Sequence, residues 1–262
     1  MTKSLNVAKV EGATRDLNIN WAIEGAAEVE STNSTLLQAA QEGAPEGTIL
    51  VADHQTAGRG RQGREWIDRP GADLLVSLIL RPQIASEDAG LLSLLPSVAA
   101  SVALAELTGE AFHTKWPNDI MTAGRKVGGV LAEANLDAPY VVLGVGINLL
   151  GEASSLPEKL IQPAATVQDT TGAALKREDV LCALLQHIEQ YYGPGGKLDG
   201  PKLIEVYRLL EITTGRRVTV AGAGEEISGR VQGVDDHGHL LVEVGDRIMT
   251  FSSGDIHIQS PL

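Results

Sequence analysis

The sequence predicts an α+β protein, with strands and helices mixed over residues 1–212 and a small all-β module over residues 213–262. Up to Leu210, short apolar runs bounded by turn residues are interleaved with longer stretches of helical composition. From about Thr213 the texture changes to brief alternating runs separated by Gly- and Asp-rich turns. The glycine-rich segment Gly58-Arg-Gly-Arg-Gln-Gly63 is followed by Trp66, Pro70 and Gly71 and then by a strand. That order lacks the strand–turn–helix context of a dinucleotide-binding unit, so a doubly wound parallel fold is disfavoured.

The elements follow in order. Trp21 to Val29 reads as a strand leading into a helix whose start, Glu30-Ser-Thr-Asn-Ser-Thr, offers hydroxyl and amide caps. Gly47–Ala52 is a buried strand, Asp53 to Arg69 a loop, and Leu74–Leu80 a strand stopped by Arg81-Pro82. A long helix is expected from about Ser86 to Leu107, with Pro96 as a kink or boundary. Phe112 to Trp116 is extended, Met121 to Arg125 reads as a turn, and Val127 to Ala134 and Tyr140 to Leu149 as strands. Helices fill Lys176 to Tyr192 and Pro201 to Leu210. Beyond Thr213, strands are expected at Arg217–Val220, Ile227–Val234, His239–Val244 and Ile248–Phe251, with a hairpin turn at Asp236-His-Gly-His239.

A hydrophobic share of 43% over 262 residues is ample for a core. The net charge is 21 − 34 = −13, which disfavours non-specific nucleic-acid binding. Cys182 is the single cysteine, so no intrachain disulfide framework exists and a reducing cytoplasm is compatible. Charged residues from Lys3 to Asp16 interrupt any signal-peptide core. Ala89 to Ala105 is uncharged but short for a membrane span and contains Pro96, so a buried helix is expected there and no membrane role.

The chemistry lies in three segments. Arg59, Arg61 and Arg64 put cations on a backbone that Gly58, Gly60 and Gly63 open to close approach, in a chain that is otherwise acidic. Guanidinium suits carboxylate and phosphate, and each charged hydrogen bond contributes ~1.5–3 kcal/mol. Lys115-Trp-Pro-Asn-Asp119 groups a cation, an aromatic plate, a turn and two polar acceptors; Lys126 stands beside Gly128-Gly129. Together Arg59, Arg61, Arg64, Lys115 and Lys126 could neutralise two anions that must meet, as when a carboxylate attacks the α-phosphate of ATP. Ser31-Thr-Asn33 is either a plain helix cap or a reader of a ligand amide. The six histidines show no zinc-type spacing, and no metal ligand set is expected.

These segments resemble the biotin protein ligases, also called biotin–[acetyl-CoA-carboxylase] ligases. The matches are Ser31-Thr-Asn33, Gln55 ahead of the arginine–glycine loop to Trp66, Lys115 to Asp119, Gly124 to Glu133, and Gly144-x-Gly-Ile-Asn148. The resemblance implies a class II aminoacyl-tRNA synthetase-like catalytic domain and a C-terminal Src-homology-3-like (SH3-like) barrel that includes Ser253-Gly-Asp-Ile256. It implies activation of biotin by Mg2+-bound ATP to biotinyl-5′-AMP, then transfer to a lysine of a biotin carboxyl carrier domain. By position, Ser31, Thr32, Gln55, Gly58, Arg59, Gly129 and Gly144 would bind biotin. Arg61 would hold the loop over the intermediate, and Lys126 would bridge the biotin carboxylate and the α-phosphate. Arg64, Trp66, Asn118 and Asn148 would serve the nucleotide, Lys115 would neutralise phosphate, and Asp119 would orient or deprotonate the incoming amine. Asp68, Leu150 and Val167 depart from residues frequent in the family. A lipoate–protein ligase would normally carry an arginine pair, a triple-glycine run and His-Asp, which this chain lacks. With only about 20 residues ahead of the first strand, a ligase without a helix-turn-helix domain is expected. Monomer and homodimer both remain open.

Overall fold

A computed structural model describes residues 4–135, 140–156, 163–222 and 225–259. The chain opens with α1 (Val7–Thr14), β1 (Ala22–Ala26), α2 (Thr32–Gln41), β2 (Thr48–Ala52), β3 (Leu74–Leu80) and α3 (Ala89–Thr108). Strands β4 (His113–Lys115), β5 (Asp119–Thr122), β6 (Arg125–Asn135) and β7 (Tyr140–Ile147) follow. After them come α4 (Val167–Thr171), α5 (Arg177–Glu189), the short pair β8 (Tyr192–Gly193) and β9 (Lys197–Leu198), and α6 (Gly200–Leu210). The last part holds β10 (Arg217–Gly222), β11 (Glu225–Val234), β12 (Leu240–Val244), β13 (Arg247–Phe251) and β14 (Asp255–Ile258).

Strands β1 to β7 form one mixed sheet in the order β1-β2-β3-β7-β6-β5-β4. Only β1 and β2 pair in parallel, because α2 carries the chain across between them. Helix α2 packs on β3 and β7 through a small cluster of Leu36, Ala40, Leu50, Ile79, Tyr140 and Val142. The other face is covered by α3, which α5 and α6 cover in turn. Helix α3 is long and apolar enough to cross a membrane, yet it lies largely inside the protein, as its composition led us to expect.

Pro96 does not end α3. Proline removes one backbone donor, and here the burial of its ring within an apolar helix offsets the loss. The helix ends instead at Gly109, whose N–H still donates to the Ala105 carbonyl and whose left-handed φ of 76° turns the chain out of the helix. The segment expected to be a turn over Met121 to Arg125 is mostly strand. Only Ala123 (φ 48°) and Gly124 (φ 70°) make the turn, the positive φ pair that a two-residue hairpin needs.

Strands β10 to β14 form a second, antiparallel sheet in the order β13-β12-β11-β10-β14. Inward residues Val218, Val220, Val231, Leu240, Val242 and Ile256 make its core, consistent with an SH3-like barrel. The expected hairpin at Asp236–His239 is present, and Asp235 Oδ1 accepts from the backbone N–H groups of His237 and His239. This hairpin sits on the start of α3. A Cβ on Gly90 would lie 2.7 Å from the His237 carbonyl, and His237 Nδ1 is 2.8 Å from Asp88.

Candidate active site

A cavity of about 450 Å³ opens over the middle of the first sheet. At one end, the first turn of α2 points into it. Ser31 caps the helix by accepting from the Ser34 N–H, and it is buried with Thr32 and Asn33. The Thr32 backbone N–H and hydroxyl both donate to Gln55 Oε1, at 2.8 and 3.1 Å. Gln55 is fixed in turn by Asp68, which accepts from its backbone N–H and also bonds His54. The departure at Asp68 therefore has a structural task next to the site.

Gly144 lies in register between Ser77 on β3 and Leu131 on β6. The side chain of Asn33 lies across this row. Its Oδ1 accepts from Ser77 Oγ at 2.6 Å, and its amide donates to the Leu131 carbonyl and to Glu133 Oε2 at 3.2 and 3.0 Å. A Cβ on Gly144 would stand 2.2 Å from Asn33 Oδ1. Gly144 lines the cavity, but the space opened by its missing side chain is taken by Asn33. Arg59 closes this end, gripping both oxygens of Glu133 at 2.8 and 3.2 Å and donating to Ser34 Oγ.

The loop that carries the arginines folds on itself. Gly58 accepts from the Trp66 N–H at 2.9 Å, and Gly60 donates to the Arg64 carbonyl at 2.7 Å. A Cβ on Gly58 would meet the Trp66 carbonyl at 2.4 Å, so a glycine is required there. The indole of Trp66 lies flat against β7, where Gly146 has no side chain to obstruct it. Among the described residues its buried Nε1 has no hydrogen-bond partner. Beyond the loop, Arg61 donates to the Gly254 carbonyl at 3.1 Å, and Arg61 and Arg64 both pair with Asp255. Burial, reinforced by Arg64 alongside, lowers the pKa of Arg61, and Asp119 opposes the shift.

The other end of the cavity holds Lys115, Asp119 and Lys126. Asp119 Oδ1 is 2.5 Å from Lys126 Nζ, and its Oδ2 is 3.4 Å from Lys115 Nζ. Lys126 Nζ also lies 5.8 Å from the Trp66 ring centre, over Gly129. Burial pulls the Lys115 ammonium below the ordinary lysine pKa, and Asp119 opposes that shift. Asn118 and Asn148 are oriented by donating to the carbonyls of Val130 and Ala165. Trp116 also lines the cavity and donates from Nε1 to the Gly238 carbonyl. Of the other two departures, Val167 is fully buried at the head of α4 and Leu150 packs on the core. Thus the sequence-predicted site residues line one cavity, with the exception of Gly58, which does not line it and packs against the Trp66 carbonyl inside the loop.

Four contributors were not singled out from the sequence as site residues: Ser77, Glu133, Gly146 and Asp255. Ser77 could have been noticed as the one polar residue within the run Leu74–Leu80. Asp255 is remote in sequence from the arginines it meets. Among the described residues no three potential ligands cluster around a metal position. Asp119 is committed to two lysines, so this donor set does not fit a protein-held magnesium ion.

The comparisons agree with this geometry. The biotin/lipoate A/B protein ligase family profile matches residues 25–148, and the biotin protein ligase C-terminal domain profile matches residues 213–258. The chain is 35% identical to the biotin–[acetyl-CoA-carboxylase] ligase of Mycobacterium tuberculosis, over 88% of this chain and 86% of that protein. It is also 35% identical to the bifunctional ligase/repressor BirA of Bacillus subtilis, over 88% of this chain and 72% of that protein. Among solved structures, the Aquifex aeolicus biotin protein ligase in complex with biotin and ATP superimposes with a TM-score of 0.77. It is 29% identical, with 90% of this chain and 98% of that chain covered. With its arginine loop, its lysine–aspartate cluster and both of its parts matched, the chain belongs to the biotin protein ligase family.

Proposed function

We infer that the protein is an ATP-dependent biotin protein ligase that makes biotinyl-5′-AMP and passes biotin to a lysine of a biotin carboxyl carrier domain. The observation that carries this is the placing of Lys126 Nζ inside the cavity, beside Lys115 and Trp66 and below the arginine loop. In the first step a biotin carboxylate oxygen attacks the α-phosphorus of ATP and pyrophosphate leaves. Both reactants are anionic, and Lys126 and Lys115 screen them at the point of contact. Asp119 pairs with Lys126, so Lys126 must exchange that carboxylate for the biotin carboxylate and α-phosphate. Magnesium enters bound to the ATP phosphates and is treated as part of that substrate.

Ser31, Thr32, Gln55 and Arg59 read the polar head of biotin and Gly129 lines the cavity beside them, whereas Gly58 and Gly144 serve the site indirectly, by admitting the Trp66 carbonyl and the Asn33 side chain. Trp66 is the plate for the adenylate, with Arg64, Asn118 and Asn148 at its edges. Arg61 keeps the loop down over the intermediate. In the second step the carrier lysine amine attacks the acyl carbon, AMP leaves, and Asp119 is placed to orient the amine and take its proton. A division at 212/213 into catalytic and β-barrel units fits the two sheets. The net charge of −13 supports a ligase that does not bind nucleic acid through these residues, and ATP chemistry with a free Cys182 fits the cytoplasm.

The test is ATP–pyrophosphate exchange with biotin, lipoate or no acid. Biotin-dependent exchange is expected; exchange with lipoate alone would move the chain to the sister activity, and none with either acid would sink the reading.

A further inference from the structure

Glu133 is given no role by the reaction just described, yet it sits where two parts of the biotin end meet. It reaches from β6 toward Arg59, with Arg59 NH2 to Oε1 at 2.8 Å and NH1 to Oε2 at 3.2 Å. The same Oε2 accepts from Asn33 Nδ2 at 3.0 Å. From Asn33 the chain of hydrogen bonds continues to Ser77 Oγ, which also lies 2.7 Å from Thr32 Oγ1, and from Thr32 to Gln55. Glu133 does not line the cavity.

An isolated arginine on a glycine-rich loop would sample many positions, and an amide laid over a strand could turn either way. A two-pronged carboxylate removes both freedoms. The forked pairing fixes the plane of the Arg59 guanidinium, and the third bond selects the Asn33 orientation in which Oδ1 faces Ser77. That orientation in turn presents Thr32 and Gln55 to the ligand. Ser77, Asn33 and Thr32 are buried, so this inner part of the linkage is shielded from water, while the Arg59–Glu133 pair forms its partly exposed outer end.

We propose that Glu133 is a positioning residue for the biotin-binding end of the site, locking Arg59 and Asn33 together so that the ureido-reading groups and the arginine loop act as one unit. The proposal rests on the biotin reading above. Because Glu133 stands apart from Lys115, Lys126 and Trp66, its effect falls on capture of the acid, not on the nucleotide or the chemical step.

The experiment is pyrophosphate exchange with wild type, Glu133→Gln, Arg59→Ala and the double variant, titrating biotin and ATP separately. Glu133→Gln keeps the size and one acceptor but loses the charge that binds the guanidinium. The expected result is a biotin KM raised about tenfold, with ATP KM within about twofold of wild type. Adding Glu133→Gln to Arg59→Ala should raise the biotin KM by much less than it does in wild type, because the two residues act through one contact. Glu133→Asp, if it keeps one prong of the pair, should fall between. Equal losses on both substrates, full additivity in the double variant, or an unchanged biotin KM would each overturn the proposal. No biotin-dependent exchange in wild type would instead refute the function on which it rests.

Discussion

Replacing Gly146 by alanine tests whether the Trp66 plate serves the nucleotide. The new Cβ would lie 2.6 Å from both Cε2 and Cζ2 of Trp66. Carbon atoms at rest stand about 3.5–4.0 Å apart, so the ring must retreat by roughly 1 Å or tilt away from β7. Gly146 is not in the left-handed region, and alanine fits its extended backbone without strain. The whole effect therefore falls on the indole. Stacking between a base and an aromatic ring contributes about 1–3 kcal/mol, and losing half to all of a mid-range value raises the ATP KM by roughly 5- to 30-fold. The biotin KM should stay within about twofold, because the Thr32–Gln55 end is untouched. Exchange assays with each substrate titrated in turn separate the two constants. An unchanged ATP KM, or a rise confined to biotin, would refute the assignment of Trp66 and of the β7 glycine beneath it.

Three other outcomes follow from the same geometry. Lys126→Ala should cut pyrophosphate exchange by ~10²-fold or more while the thermal unfolding temperature changes little, since the Lys126 side chain is partly exposed in the cavity; retained exchange would remove it from the first step. Arg61→Gly should release biotinyl-AMP, so bystander proteins become labelled, detectable by avidin blotting; labelling confined to the carrier would count against retention by the loop. His237 gains a proton-stabilising partner in Asp88, with Glu87 and Asp235 adding to it, and its pKa lies above the free value. The contribution of this pairing is complete below pH 6.5 and disappears as pH rises through the raised value, so melting temperature should fall across that window. His237→Gln should flatten that slope, and an identical slope in the variant would show that other groups set it.

Several elements were legible because local pattern and tertiary burial agree. The run Leu74–Leu80 becomes β3 with every residue buried, as a continuous apolar stretch demands. Others were hidden. Strand β14 is short and carries Asp255 and His257, and its pairing with β10 comes from the remote half of the sheet. Helix α1 has a weak apolar face and is held from outside, by Glu178 and Asp179 of α5. Pro96 reads as a kink or boundary because proline lacks the backbone donor, whereas the structure carries the helix through it with the ring buried. At the site, the residue types were readable in order, but their pairing was not. Gly144 promised room for a ligand, and the room is used by Asn33. The arginine loop promised free cations, whereas Arg59 meets Glu133, and Arg61 and Arg64 meet Asp255. Such contacts depend on strand register across the sheet and on the docking of the second sheet, neither of which has a local signal.

The seat of the β11–β12 hairpin on α3 bears on how the protein can be re-engineered. Gly90 admits the His237 carbonyl, a Cβ on Gly238 would lie 3.1 Å from the Leu94 side chain, and Trp116 bonds the Gly238 carbonyl. The two halves are thus cut to one another like a key and its ward. A chimera that borrows the β-barrel from a relative inherits half of that fit, and it will assemble only if the donor hairpin brings a glycine to the place of Gly238 and a carbonyl within reach of Trp116.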